Sequence, residues 1–160
     1  MKQFALATGL ALFAAPVFAE SHEMALQGDV AAGEEAFNRQ CVACHVVTND
    51  EGETLAGRGA KTGPNLYGVA MRQLGAVEDF NYGDSIIALG EQGTVWTEEN
   101  FVGYVQDPTG WLREELDDNR ARGKMAFQVR SEEDAYNLYA YLADIGPEVD
   151  MTATEEEPES

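Results

Sequence analysis

The chain has 160 residues, of which 29 are acidic and 10 basic, for a formal net charge of −19 at pH 7. That excess repels phosphate backbones and anionic lipid surfaces, which disfavours nucleic-acid and membrane-surface binding and favours attraction to a basic patch on a protein partner. The length suits one small domain.

In chain order, MKQFALATGLALFAAPVFA at 1–19 is laid out as a secretory signal peptide. Lys2 supplies the positive start, an apolar run extends from Phe4 to Ala15, and Val17-Phe18-Ala19 offers small residues before a cleavage point after Ala19. The run is short for crossing ~30 Å of hydrocarbon and ends in Pro16, which argues against an anchor. Cleavage leaves a chain for the bacterial periplasm, beginning with a flexible stretch over 20–27; losing Lys2 takes the net charge from −19 to −20.

Helical patterns dominate residues 28–147. The first begins at Asp29, a good N-cap, and runs through VAAGEEAFNRQCVACH, with Gly33, Phe37, Cys41 and His45 recurring at i+4. Asp84–Gly90 forms a short helix. Thr97 caps a second clear helix, with Glu98 and Glu99 in its first turn, and Asp107-Pro108 should stop it. WLREEL at 111–116 is a further short helix. Ser131-Glu132-Glu133-Asp134 starts the strongest, striped by Ala135, Leu138, Leu142 and Ile145 and ended by Gly146-Pro147. Gly-rich loops occupy 49–64, 75–83 and 117–124, and no stretch alternates over strand length. The domain is therefore read as all-α. The tail at 148–160, acidic and free of aromatics, has a disordered composition.

Cys41-Val42-Ala43-Cys44-His45 contains both cysteines of the chain. A disulfide over a two-residue spacer would close a tiny loop and restrict the unfolded chain little. A thioredoxin-like redox pair belongs beside a strand in a βαβ unit, and none is evident. Structural zinc wants four ligands, and His22 is the sole further Cys or His. Covalent attachment of one haem c accounts for all three residues: Cys41 and Cys44 form thioethers with the vinyl groups, and His45 ligates the iron. It also suits an exported chain. For the sixth position the residues themselves leave Met24, Met71, Met125, Met151 and His22 open, with Met24 and Met151 near the termini and Met71 reading as packed apolar.

Several motifs then appear in order: GDVAAGEEAFNRQCVACH, TGPNLYG at 62–68, TVWTEENFVGYVQDP and KMAF at 124–127. Together, over residues 28–146, they resemble a class I cytochrome c, of the branch holding bacterial cytochrome c2 and mitochondrial cytochrome c. The resemblance implies that Gly33 and Phe37 pack on Leu138 and Tyr141 of the last helix, with the haem enclosed around that pair. It implies that the Pro64 carbonyl accepts a bond from His45 Nδ1, that Tyr82 and Trp96 stand near the haem propionates, and that Tyr104 stands near the axial sulfur. It makes Met125 the second axial ligand. Two segments, 46–61 and 110–123, resemble the insertions of larger c2-type members. The family's ring of lysines is mostly missing, with Lys61 and Lys124 alone beyond the signal, so partner identities drawn from lysine-rich relatives do not carry over.

The function so implied is that of a periplasmic electron carrier, not an enzyme. A quinol–cytochrome c oxidoreductase would be its donor, and a terminal oxidase, reductase or photosynthetic reaction centre its acceptor. The competing expectations are a haem protein with an open sixth site and a haem subunit of a larger oxidoreductase.

Overall fold

A computed structural model describes residues 26–149. The signal peptide, most of the 20–27 stretch, nearly all of the acidic tail, and Met24, Met151 and His22 lie outside the described residues. Among the described residues the order is α1 (Val30–Gln40), β1 (Val46–Thr48), β2 (Thr54–Gly57), α2 (Asp84–Glu91), α3 (Glu98–Gln106), α4 (Pro108–Glu115) and α5 (Glu132–Asp144).

The three capping residues read from the sequence each cap a helix. Asp29 accepts from Ala32 N–H, Thr97 from Asn100 N–H and Ser131 from Asp134 N–H, each satisfying one of the orphan donors of a first turn. Two boundaries differ from the sequence reading by more than one residue. Helix α1 stops at Gln40, and Cys41–Cys44 continue as a tight turn in which the Cys44 and His45 N–H groups both donate to the Cys41 carbonyl, at 3.0 and 2.9 Å. Helix α4 starts at Pro108, three residues ahead of Trp111. Asp107 ends α3 and caps α4, and Pro108 sits in the first turn of α4, where its missing N–H costs nothing.

The fold is mostly helical, as expected, with one addition: a hairpin whose first strand just precedes, and whose second lies within, the 49–64 segment read as loop. β1 and β2 pair antiparallel, Val46 opposite Gly57 and Val47 opposite Ala56, with a bulge before Thr48. Strands of three and four residues are too short to display a period of two.

The core forms where α5 crosses α1 and α3. Gly33 faces the backbone carbonyl of Asn137, and a Cβ there would also come within 2.6 Å of Tyr141 Cβ. The rings of Phe37 and Tyr141 lie 5.8 Å apart. Leu138, expected in this contact, is buried in the same core cluster as Phe37 and Tyr141 and also lines the neighbouring cavity. The α1–α5 crossing is tied at both ends: Asp29 N–H donates to Asn137 Oδ1 at 2.7 Å, and Arg39 and Gln40 donate to Asp134 Oδ2 at 3.0 and 2.6 Å. Tyr139, fully buried, donates its hydroxyl to the Trp96 carbonyl at 2.8 Å, fastening α5 to the strip before α3.

Gly33→Ala is therefore expected to destabilise the protein by about 2 kcal/mol. Overpacking of ~3 kcal/mol at the crossing is offset by the ~1 kcal/mol by which alanine favours a helix. Denaturant unfolding checks this, and a variant as stable as the parent would show that the crossing yields freely.

Candidate haem site

Beside the α1–α5 pair a cavity of about 820 Å³ opens to the surface. It is walled by residues from five stretches: the end of α1 with the Cys41–His45 turn, residues 62–72, residues 80–86, Trp96 to Val105 and Lys124 to Val129. Leu138 and Leu142 of α5 close its back. Every site residue read from the sequence lines it: Cys41, Cys44, His45, Pro64, Tyr82, Trp96, Tyr104 and Met125. Met71 does not line it; its backbone takes a left-handed φ of 58° and its N–H donates to the Trp96 carbonyl at 2.9 Å.

His45 is the most constrained of these side chains. Its Nδ1 lies 3.0 Å from the Pro64 carbonyl. A carbonyl can only accept, so Nδ1 carries the proton and the Nε2 lone pair is left free, the tautomer that a metal ligand requires. Burial holds the imidazole below its usual pKa, against the opposing pull of that carbonyl, and so keeps the ring neutral. The loop of Pro64 is fastened close by, since Gly63 N–H donates to the Cys44 carbonyl at 2.7 Å. Gly63 has a second role that the sequence did not disclose. A Cβ built on it would overlap the His45 ring, passing within 2.7 Å of Nε2. Only glycine lets the loop back the imidazole this closely.

Cys41 and Cys44 are both half-buried. Burial, with a smaller contribution from Cys44, pushes the Cys41 thiol up to about 12, so it stands as neutral S–H. Of the aromatics, Trp96 stacks on Trp111 with centroids 6.0 Å apart and planes 26° apart, and meets Tyr104 at 5.1 Å. Burial pushes the Tyr104 hydroxyl up to about 12. Trp111 was read merely as part of a helix, and its stacking became visible only in three dimensions.

Arg72 is a further residue that sequence reasoning missed. Its guanidinium lines the cavity, donating from Nη1 to the Tyr67 carbonyl and from Nη2 to the Asn65 carbonyl at 2.6 and 3.2 Å. Its Nε is buried without a partner. An arginine inside the mostly apolar LYGVAMRQLG was the available signal. A buried cation with one nitrogen left unpartnered calls for an anionic group in the cavity. Among the described residues no carboxylate lines the cavity, although the chain as a whole is strongly acidic.

The donor set therefore fits a large, mostly apolar, carboxylate-bearing cofactor: two thiols able to bond it covalently, a neutral imidazole with Nε2 free, and a guanidinium for its acid group. Among the described residues, no group of three or more His, Cys, Asp or Glu side chains is gathered for a bare metal ion. A helical fold wrapped on such a site defines a haem-c protein.

Comparison with known proteins narrows this. No family model matches the chain. The chain is 60% identical over 121 residues to cytochrome c2 of Rhodovulum adriaticum, covering 76% of this chain and 95% of that protein. It is 50% identical over 136 residues to cytochrome c2 of Cereibacter sphaeroides, covering 84% and 93%. Among solved structures, cytochrome c2 from Rhodobacter sphaeroides aligns with a TM-score of 0.74 at 49% identity, covering 77% of this chain and all 100% of that one. Ferric cytochrome c-550 from Paracoccus versutus aligns with a TM-score of 0.70 at 41% identity, covering 76% and 100%. The chain belongs to the class I c-type cytochromes, of the c2 type; it is a monohaem electron carrier and holds one covalently bound haem c.

Proposed function

We propose that this cytochrome is a periplasmic shuttle whose haem is tethered by Cys41 and Cys44 and whose iron is held by His45 Nε2 and Met125 Sδ. The observation that carries the reading is the convergence of His45, already bonded through Nδ1 to Pro64, and Met125 on one cavity. When bound, the haem supplies an iron that cycles between Fe(III) and Fe(II). The protein's own residues set the conditions. Each thiol would add its S–H across a vinyl double bond of the haem, sulfur to one carbon and hydrogen to the other. Pro64 orients the imidazole and makes it more basic. The thioether of Met125, a neutral and weak donor, favours the reduced iron and raises the potential. Arg72, with Tyr82 and Trp96, would hold the propionate side, where its unpartnered Nε–H would meet a carboxylate.

The rim of the cavity is exposed at Ala43, Thr62, Asn81, Ala126 and Phe127. A partner can approach there closely enough for electrons to cross without a binding step for substrate, which suits a carrier and not an enzyme. Contacts of this kind are small and brief. The negative charge of the chain steers it toward redox proteins with basic docking patches, a quinol–cytochrome c oxidoreductase on one side and an oxidase, reductase or reaction centre on the other. The signal peptide read at 1–19, cleaved after Ala19, delivers the chain to the periplasm. Among the described residues no helix is long and apolar enough to cross a membrane.

Spectroscopy of the holoprotein tests the assignment. The oxidised form should be low-spin with the weak sulfur-to-iron charge-transfer band, and the reduced form should resist carbon monoxide. Rapid carbon monoxide binding by the native ferrous protein would overturn the Met125 assignment in favour of an open sixth site.

A further inference from the structure

Building on the His45/Met125 reading, we propose that Lys124 is a positioning residue that straps the methionine-bearing segment across the mouth of the cavity. The segment between α4 and α5 has no helix or strand of its own. Among the described residues, Lys124, Met125, Ala126 and Phe127 take part in no backbone–backbone hydrogen bond. Their nearest anchors are Gly123 N–H, which donates to Thr109 Oγ1 at 3.2 Å, and Val129 N–H, which donates to the Val105 carbonyl at 2.8 Å. The span bearing Met125 is thus held by its side chains.

Lys124 supplies the tether. Its ammonium donates to the Asn81 carbonyl at 2.8 Å, the Tyr82 carbonyl at 2.9 Å and Asn81 Oδ1 at 3.2 Å. An ammonium has three donors, and here three acceptors meet them. The stem packs along the same lip, since a Cβ on Gly83 would touch Lys124 Cγ at 3.4 Å. Asn81, Tyr82 and Gly83 line the cavity as Lys124 and Met125 do, so the bonds join one lip of the mouth to the other. In a chain so rich in carboxylates, this lysine is spent on carbonyls of the opposite loop. The consequence is that Met125 leaves the iron less readily and outside ligands find the sixth position closed.

The test is imidazole binding to the ferric holoprotein, followed by stopped-flow absorbance. The parent should bind slowly, at the rate at which Met125 departs. Lys124→Gln should bind about tenfold faster, the scale of one charge-assisted hydrogen bond, with a weakened charge-transfer band. Lys124→Arg, which keeps charge and several donors, should stay near the parent. Asn81→Ala, on the opposite lip, removes one acceptor of three and should speed binding about twofold. If Lys124→Gln gives no haem-loaded protein, the Asn81→Ala rate decides. A slow parent with Lys124→Gln within twofold of it would overturn the strap and leave the axial assignment standing. A parent that binds imidazole without any slow step would overturn both.

Discussion

Gly63→Ala is expected to lower the yield of haem-loaded protein severely and to cost about 3 kcal/mol of stability in what remains. The added Cβ would occupy the space of the His45 ring. The clash does not fall on the loose end of a flexible chain. The ring is held by Pro64 on one side and, in the proposed assignment, would be held by the iron on the other, and the Gly63 backbone is itself bonded to Cys44. Something in that stack must shift. Overpacking of this kind costs ~1–3 kcal/mol, and losing the Nδ1 bond adds ~1 kcal/mol. For a domain of this size 3 kcal/mol is on the order of 10 °C in Tm. Haem content per chain and thermal unfolding check it, with the exposed neighbour variant Thr62→Ala expected to behave as the parent. Normal haem loading and Tm in Gly63→Ala would show that the loop backs away without effort.

Met125→Leu should change function more than stability. Leucine nearly matches methionine in volume, so packing changes by less than ~1.5 kcal/mol. What it removes is the thioether. The ferrous protein should then take up carbon monoxide readily, the charge-transfer band should vanish, and the reduction potential should fall by a sizeable part of the ~0.8 V range over which axial ligands tune haem iron. Met71→Leu, at a residue that does not line the cavity, should leave all three readouts in place. A Met125→Leu variant that kept the band and the potential would assign the second ligand elsewhere.

The helix caps at Asp29, Thr97 and Ser131 were legible because capping is local chemistry: a side-chain oxygen meets an N–H three residues on. The short hairpin was not, because Val46–Thr48 and Thr54–Gly57 carry too few residues for a pattern and owe their pairing to each other. The start of α4 was missed because Asp107-Pro108 was weighed as a stop signal alone, although the same pair ends one helix and begins the next.

Cys41, Cys44 and His45 can be proposed from the chain alone because attaching a haem through two thioethers and one ligand would demand neighbouring residues, and neighbours are what a sequence displays. Met125 required likeness to a family, since nothing in its own surroundings set it apart from Met71. Tertiary structure alone decided the rest. It brought Met125 to the cavity and kept Met71 out. It placed Gly63 against an imidazole 18 positions away and left the buried Nε of Arg72 awaiting an anion. It also laid the Lys124 ammonium on carbonyls 42 and 43 residues distant. The Gly63, Arg72 and Lys124 contacts depend on a glycine's missing Cβ or on backbone groups that every residue shares, so residue identity carries no mark of them until the chain has folded.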